Sequence, residues 1–313
     1  MKKNLPVIFI YGPTAVGKTL FAENLAEKIV SAEIVNMDSM QFYKDLKVGT
    51  AKPDWQNSPI KNHFFDIVDS PSNFSVIKYR EKALLLIDTI KQRGKIPIFV
   101  GGSGFYLMSL LYDQSVENEG SIDKSTNEVS WERLYQIDPK RASAIHKNDI
   151  YRINRALILW QKTGKKPSLY YPNFNPAFNF KLFFLTRNKE EMEIRVKKRT
   201  NDMMKEGFIE EVENLSIEWK LFLQKKKIIG YKEVLSFLQE DIAEDVNTFL
   251  LLKQRIERQT MQYIKKQKTF WRMIEKKLAL EKNNNKNTSF NFQTLDLTLK
   301  NSNFYINQIL NSL

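Results

Sequence analysis

Gly12-Pro13-Thr14-Ala15-Val16-Gly17-Lys18-Thr19 has the spacing G-x-x-x-x-G-K-[ST]. The chemistry explains the spacing. Glycines at both ends let backbone N–H groups curl around phosphate oxygens. Lys18 adds a point charge, and the Thr19 hydroxyl can face a Mg2+ ion. The dipole of a following helix also favours the anion. This loop belongs to nucleotide-binding proteins, ATP-binding ones among them. It specifies phosphate, but neither ATP nor a reaction. A P-loop ATPase also carries an acid at the end of a second strand to position the metal. Here the strand 96–100 runs into Gly101-Gly102-Ser103 instead, and the acid beyond a strand is Asp38. An Asp in that place is either a catalytic group at the carboxyl end of a parallel strand or the cap of a turn.

The elements that must hold these residues follow from hydrophobic period. Leu5–Tyr11 and Ile96–Val100 are short apolar runs of the kind that form buried parallel strands. Ala32–Met37 and Phe180–Leu185 read the same way, and Phe64–Val68 reads as a third, weaker strand. Helical spacing covers Leu20–Ile29, Val76–Arg93 and Phe105–Leu111, and a charged helix starts at Asn188. Strand and helix alternate, so the expected fold class is α/β, a P-loop NTPase-like parallel sheet flanked by helices. The alternation stops over 113–175, which is polar and helical in pieces (Trp131–Ile137, Ile150–Thr163). We therefore expect an all-helical insertion at 113–175 within a core formed by 1–112 and 176–280. The core would include a long basic helix from Asp241 to about Leu280. Residues 281–313 read as an Asn/Lys-rich linker or frayed tail.

Composition narrows the function. The 313 residues contain no cysteine, which excludes a disulfide scaffold, a thiolate metal site and a cysteine nucleophile. Two histidines, His63 and His146, argue against a histidine-rich metal site. No run approaches the roughly 18–20 apolar residues that cross a bilayer, and the apolar start is too short for a signal peptide. We expect a cytoplasmic protein without membrane attachment. The formal net charge is +13. Residues 251–280 hold nine basic and two acidic side chains, a net of +7, so over half the excess lies in one tenth of the chain. That concentration favours a face for a polyanion such as nucleic acid over a uniform bias toward lysine.

The residues around Asp38 go further. Asp38-Ser39-Met40-Gln41, then Tyr43, then Val48-Gly49-Thr50-Ala51-Lys52-Pro53, resemble the D-S-x-Q-x-Y…I-G-T-A-K-P stretch of the tRNA dimethylallyltransferases, also called tRNA isopentenyltransferases. The P-loop is similar to that family's G-P-T-A-x-G-K-T. Val100–Tyr106 resembles V-G-G-T-x-x-Y, and Asn148–Leu157 resembles N-D-x-x-R-x-x-R-A-L. Arg195 and Arg199 with Met203, Gly207, Glu211 and Val212 resemble R-x-x-x-R…M…G…E-V. Ile229–Glu233 resembles I-G-Y-x-E, and Gln262 to Arg272 resembles Q-x-x-K-R-Q-x-T-x-x-R. These ordered motifs span residues 6–272.

The resemblance implies transfer of a dimethylallyl group from dimethylallyl diphosphate to N6 of the adenosine 3′ of a tRNA anticodon. It implies Asp38 as general base, with Ser103 and Arg199 completing the catalytic set. It implies a diphosphate site made of the P-loop (Gly12 to Thr19) with Arg195 and Arg199, and Mg2+ on Thr19. Contacts to tRNA would come from Asp38, Ser39, Met40, Gln41 and Ser103. Further contacts would come from Tyr151, Arg152, Ile153, Asn154 and Arg155, and from Lys227, Ile228, Ile229, Gly230, Tyr231 and Lys232. A monomer would suffice for one tRNA. Some positions depart from the family: Ser103 replaces Thr, and Met261 and Lys266 replace Arg. Lys61-Asn62-His63-Phe64 lacks the first of two usual histidines, so His63 receives no catalytic role. Two other readings remain open on the residues alone. One is a P-loop kinase with Asp38 as base and 113–175 as a lid. The other is an RNA-binding protein that uses nucleotide as a switch.

Overall fold

The computed structural model of the chain describes residues 5–29, 31–113, 129–239, 246–284 and 289–313. It comprises two compact units, Met1–Met108 with Ala177–Leu313, and Ser109–Pro176.

The first unit is built on six strands: β1 (Val7–Tyr11), β2 (Ala32–Asn36), β3 (Asn62–His63), β4 (Ile96–Gly101), β5 (Phe180–Thr186) and β6 (Phe290–Asp296). Their order is β3-β2-β4-β1-β5-β6, and every pairing is parallel. All carboxyl ends therefore face one edge, which is where ligands of open α/β sheets bind. The central strand β1 is buried on both faces, as its unbroken apolar run requires. Ile8 and Ile10 pack with Phe21 and Leu25 of α1 (Lys18–Lys28) and with Ile306 and Ile309 of α12 (Ser302–Leu310). Phe9 and Tyr11 point the other way. Phe9 meets Phe99 and Phe180, and Tyr11 meets Phe184 and Trp271. Each such aromatic side chain contributes about 1.5–3 kcal/mol on full burial.

The other helices of this unit are α2 (Val76–Gln92), α7 (Lys189–Lys205), α8 (Phe208–Glu213), α9 (Ile217–Lys226), α10 (Tyr231–Gln239) and α11 (Val246–Asn284). On α11, Leu252, Ile256, Ile264, Gln267, Trp271, Ile274 and Leu278 form the buried stripe. Lys265, Lys266, Arg258 and Arg272 lie on the exposed side. The helix thus separates its apolar and basic faces by the ordinary period.

The second unit holds α4 (Trp131–Ile137), α5 (Pro139–Ser143) and α6 (Ile150–Thr163). Helix α3 (Gly104–Leu111) leads into it. Ser130, Asp138 and Asp149 cap α4, α5 and α6, each accepting from the backbone N–H three residues on. Leu134, Ala142, Ile145, Ile153, Ala156 and Leu157 form its core. Its two chain ends are tied together, since Asp113 N–H donates to the Asn173 carbonyl at 2.9 Å and Asn175 N–H to the Leu111 carbonyl at 3.0 Å.

Three expectations change. The strand beside β2 is Asn62–His63, directly before the expected Phe64–Val68. Phe64 and Asp66 have φ values of 65° and 53°, a left-handed conformation that ends a strand. The stretch read as a linker or frayed tail supplies edge strand β6 and helix α12. The Asn-rich run before Phe290 masked a strand whose buried positions, Phe290 and Leu295, do not alternate. The basic helix runs to Asn284, and its expected start at Asp241 lies outside the described residues.

Candidate active site

Strand β1 ends at Tyr11 and the loop Gly12–Gly17 carries the chain into α1. Ala15 and Gly17 adopt positive φ, 63° and 103°. Gly12 permits a close approach, because a Cβ there would lie 2.7 Å from the Leu185 carbonyl oxygen. The loop is held from outside as well. Arg195 Nε donates to the Ala15 carbonyl at 2.7 Å, and Arg187 Nε to the Val16 carbonyl at 3.1 Å. Gln267 Oε1 accepts from Thr14 N–H at 3.0 Å, while its Nε2 donates to the Gly102 carbonyl at 3.0 Å.

Asp38 follows β2, whose side-chain amide Asn36 accepts from Asp38 N–H at 2.8 Å. The Asp38 carboxylate accepts from Met40 N–H at 3.2 Å and so caps the 3-10 turn Ser39–Phe42. Both readings of this residue therefore coexist: it caps a turn and lies at a strand end. Gly101 explains how β2 reaches that place, since a Cβ on Gly101 would lie 2.2 Å from the Met37 carbonyl oxygen. The Ser103 hydroxyl accepts from Ser39 N–H at 3.3 Å, joining the β4 loop to the same turn.

A cavity of about 60 Å3 opens among Thr14, Lys18, Thr19, Glu23, Asp38, Gln41 and Arg199. Lys18 Nζ donates to the Pro13 carbonyl at 2.8 Å. Burial lowers the Lys18 pKa to about 8, with Asp38 opposing the shift and Arg199 adding to it. Burial also lowers Arg199, and Asp38 again opposes it. Two cations, Lys18 and Arg199, and two carboxylates, Glu23 and Asp38, thus share this space. Burial and the Asp38 charge push the Tyr263 phenol up to about 12.

Arg195 and Arg199 lie one turn apart on α7, yet they have different partners. Arg199 lines the cavity and donates to the Thr50 carbonyl at 3.0 Å. Arg195 grips the loop backbone, with Nη2 3.2 Å from where a Gly17 Cβ would lie. The Ser39, Met40 and Gln41 turn borders the cavity, and Gln41 lines it.

In the helical unit, Tyr151, Arg152 and Arg155 are exposed on α6, and Arg152 pairs with Asp149. Ile153 lies in that unit's core, and Asn154 is half-buried. In the first unit, Lys227 and Lys232 are exposed, Ile228 and Ile229 half-buried, and Gly230 buried with φ 87°. Tyr231 is fully buried and donates its hydroxyl to Glu211 at 2.7 Å. For Ile153 and Tyr231 only the backbone is left to meet a nucleic acid. The aromatics of α11 divide: Trp271 is core, while Tyr263 is 40% exposed.

Residues the motifs contained without a role prove central to the geometry. Gln267 bridges two loops, and Glu211 organises a third. His63 has a structural partner, since its Nε2 lies 2.6 Å from buried Glu33. Among the described residues no group of three or more His, Asp or Glu could hold a metal by itself, and no helix is long and apolar enough to cross a membrane.

A glycine-bearing loop of phosphate-binding spacing after the central strand β1 of a parallel sheet, with an acid beyond the end of β2 on the far side of β4, defines a P-loop α/β protein with a cavity at the carboxyl ends of its strands. Residues 41–274 match the family model described as IPP transferase. Over 319 residues the chain is 34% identical to a tRNA dimethylallyltransferase of Acetivibrio thermocellus, covering 96% of this chain and 97% of that one. The fold is similar to the full-length tRNA isopentenylpyrophosphate transferase of Bacillus halodurans, with TM-score 0.65, 27% identity and coverage of 98% and 94%. It is also similar to a eukaryotic dimethylallyltransferase acting on tRNA, with TM-score 0.78, 28% identity and coverage of 98% and 77%. The chain belongs to the IPP transferase family.

Proposed function

We infer that this protein transfers the dimethylallyl group of dimethylallyl diphosphate to N6 of the adenosine 3′ of the anticodon in tRNA, releasing diphosphate. One observation carries the assignment beyond family membership: Lys18, Arg199 and Asp38 line a single cavity with Thr19. That set suits an anionic leaving group beside an acceptor amine.

The chemistry balances as follows. The bond between the allylic carbon and the diphosphate oxygen breaks, and its electron pair leaves on that oxygen. Lys18 and Arg199 neutralise the growing charge, and the N–H groups of the loop from Ala15 to Thr19 donate to phosphate oxygens. The N6 lone pair forms the new C–N bond, and the Asp38 carboxylate takes the N6 proton. Asp38 holds one oxygen on Met40 N–H, which fixes its orientation. The adenosine must leave its stack to reach this cavity, as base chemistry of this kind requires.

Mg2+ fits the donors present. Thr19, Glu23 and Asp38 line this cavity, and Mg2+ takes few protein oxygens alongside phosphate. The Thr19 hydroxyl would hold it, and when bound it would add charge neutralisation at the diphosphate.

We assign Ser39, Met40, Gln41 and Ser103 to the acceptor base. The exposed Tyr151, Arg152 and Arg155, with Lys227 and Lys232, are assigned to the tRNA backbone and loop bases. The compartment expected for this activity is the cytoplasm, and one chain per tRNA suffices. The test is incubation with radiolabelled dimethylallyl diphosphate and unmodified tRNA bearing adenosine 3′ of the anticodon, with and without Mg2+. Label in tRNA only with Mg2+ supports the assignment. No label in either reaction, with ATP turnover on the same preparation, overturns it.

A further inference from the structure

The Glu211 carboxylate on α8 accepts four hydrogen bonds. Three come from consecutive backbone amides: Lys47 at 2.8 Å, Val48 at 2.7 Å and Gly49 at 3.1 Å. The fourth comes from the Tyr231 hydroxyl at 2.7 Å. A carboxylate offers about four lone-pair sites, so these donors use its whole capacity.

The loop it grips leaves little freedom elsewhere. A Cβ on Gly49 would lie 2.2 Å from Phe208 Cε2 and 2.5 Å from the Tyr231 ring. The Thr50 hydroxyl donates to the Leu46 and Lys47 carbonyls at 3.1 and 3.0 Å. The next atom along is the Thr50 carbonyl oxygen. It accepts from Arg199 Nη2 at 3.0 Å and from Gln41 Nε2 at 3.3 Å. Arg199 faces the cavity, and Gln41 belongs to the turn that Asp38 caps.

We propose that Glu211 is a positioning residue that acts through the Thr50 carbonyl. By fixing the backbone of 47–49 it sets the oxygen that holds Arg199 against the diphosphate position and Gln41 beside Asp38. Three stretches far apart in sequence, 47–50, Glu211 and Tyr231, thereby form one support for the leaving-group side of the site. The proposal rests on the reading of Arg199 as the group that meets diphosphate.

Glu211→Gln is the discriminating variant. It keeps the shape, offers one acceptor oxygen, and turns an NH2 toward backbone N–H donors. The experiment is a double-mutant cycle with Arg199→Ala, read as binding of inorganic pyrophosphate by calorimetry and as kcat and KM for prenyl transfer. The expected result is about a tenfold loss of pyrophosphate affinity for Glu211→Gln in the native background, and less than about twofold in the Arg199→Ala background. The kcat should fall while KM for tRNA stays within about twofold. An equal loss in both backgrounds, or no loss in either, overturns the proposal. If Glu211→Gln does not fold, Tyr231→Phe, which removes one of the four donors and keeps the ring, runs the same cycle with a smaller effect. A protein that binds pyrophosphate normally but transfers no prenyl group would sink the functional assignment and leave this cycle decisive for Glu211.

Discussion

Gln267 and Thr14 are 253 residues apart and joined by a 3.0 Å hydrogen bond, the side-chain oxygen of one accepting the backbone N–H of the other. Because Gln267 also donates to the Gly102 carbonyl, the basic helix α11 is fastened to two loops of the cavity at once. Gln267→Ala leaves both loop groups without this partner, at a cost of about 1–3 kcal/mol for each buried group left unpaired. The expected outcome is a lowered melting temperature and weaker pyrophosphate binding, measured on the same sample. Unchanged binding with a lowered melting temperature would limit Gln267 to stability.

Removing the carboxylate at Asp38 separates binding from turnover. Asp38→Ala is expected to reduce prenyl transfer roughly 100-fold or more, the scale of lost acid–base help. Affinity for tRNA should stay within a few-fold by filter binding. A variant that loses tRNA and retains its turnover would contradict the assigned role.

Lys18 makes diphosphate binding depend on pH. Its pKa is lowered to about 8 by burial, and a bound diphosphate would raise it again by supplying the opposite charge. Binding above pH 8 therefore takes up a proton. Affinity for pyrophosphate should fall as pH rises through 8, by up to about tenfold per unit while one proton is taken up. Lys18→Arg stays charged through this range and should show a flatter profile. Titration calorimetry between pH 7 and 9.5 checks the contrast.

The buried carboxylate of Glu33 faces His63, Arg93 at 2.7 Å and Lys95 at 3.1 Å. Burial alone would raise its pKa, and the hydrogen bonds from His63, Arg93 and Lys95 outweigh that and hold it at about 2. A lowered carboxylate pKa adds stability above the ordinary carboxylate range, and that stability is lost as pH falls toward 2. Glu33→Gln is expected to cost about 1–3 kcal/mol near neutral pH, less than a fully buried pair because Arg93 and Lys95 are more than a third exposed, and to cost less in acid. Urea melts at pH 7 and pH 3 give the comparison; a pH-independent difference would refute it.

Docking of tRNA on the exposed basic faces predicts a steep salt response. Each phosphate contact on a single strand contributes a slope of about −0.7 in log affinity against log salt. Lys265→Ala with Lys266→Ala should weaken binding and flatten that slope. An unchanged slope would remove α11 from the docking surface.

Much of this site could be read along the chain because its parts are contiguous. The P-loop is one segment with fixed spacing, and Asp38 follows an apolar run that forms β2. Arg199 was legible through the motif it shares with Arg195, though that motif hid their different partners. Glu211 and Gln267 carried no local signal of their roles. Their partners are backbone groups 162 to 164 and 253 residues away, so no pattern along the chain announces them. Tyr231 was expected to meet nucleic acid because its loop resembles a family motif, and its packing against Phe208 and Glu211 shows the side chain as core. The third strand was misplaced because two left-handed residues, Phe64 and Asp66, are neither Gly nor Asn and gave no warning.

The pairing of β6 with β5 has a consequence for how the molecule is made. Phe290 pairs with Phe180, so this edge of the sheet closes a loop of more than a hundred residues. Loops of that length form late and slowly compared with local helices. On the ribosome, where amino-terminal parts are completed first, the phosphate loop and Asp38 emerge long before β6 and α12 cover Ile8, Ile10, Phe21 and Leu25. A nascent chain halted before residue 290 would display a nearly complete active-site sequence on a sheet whose edge is β5 and whose apolar face is uncovered. That apolar surface is buried only once residues 290–309 have been made and have packed on it.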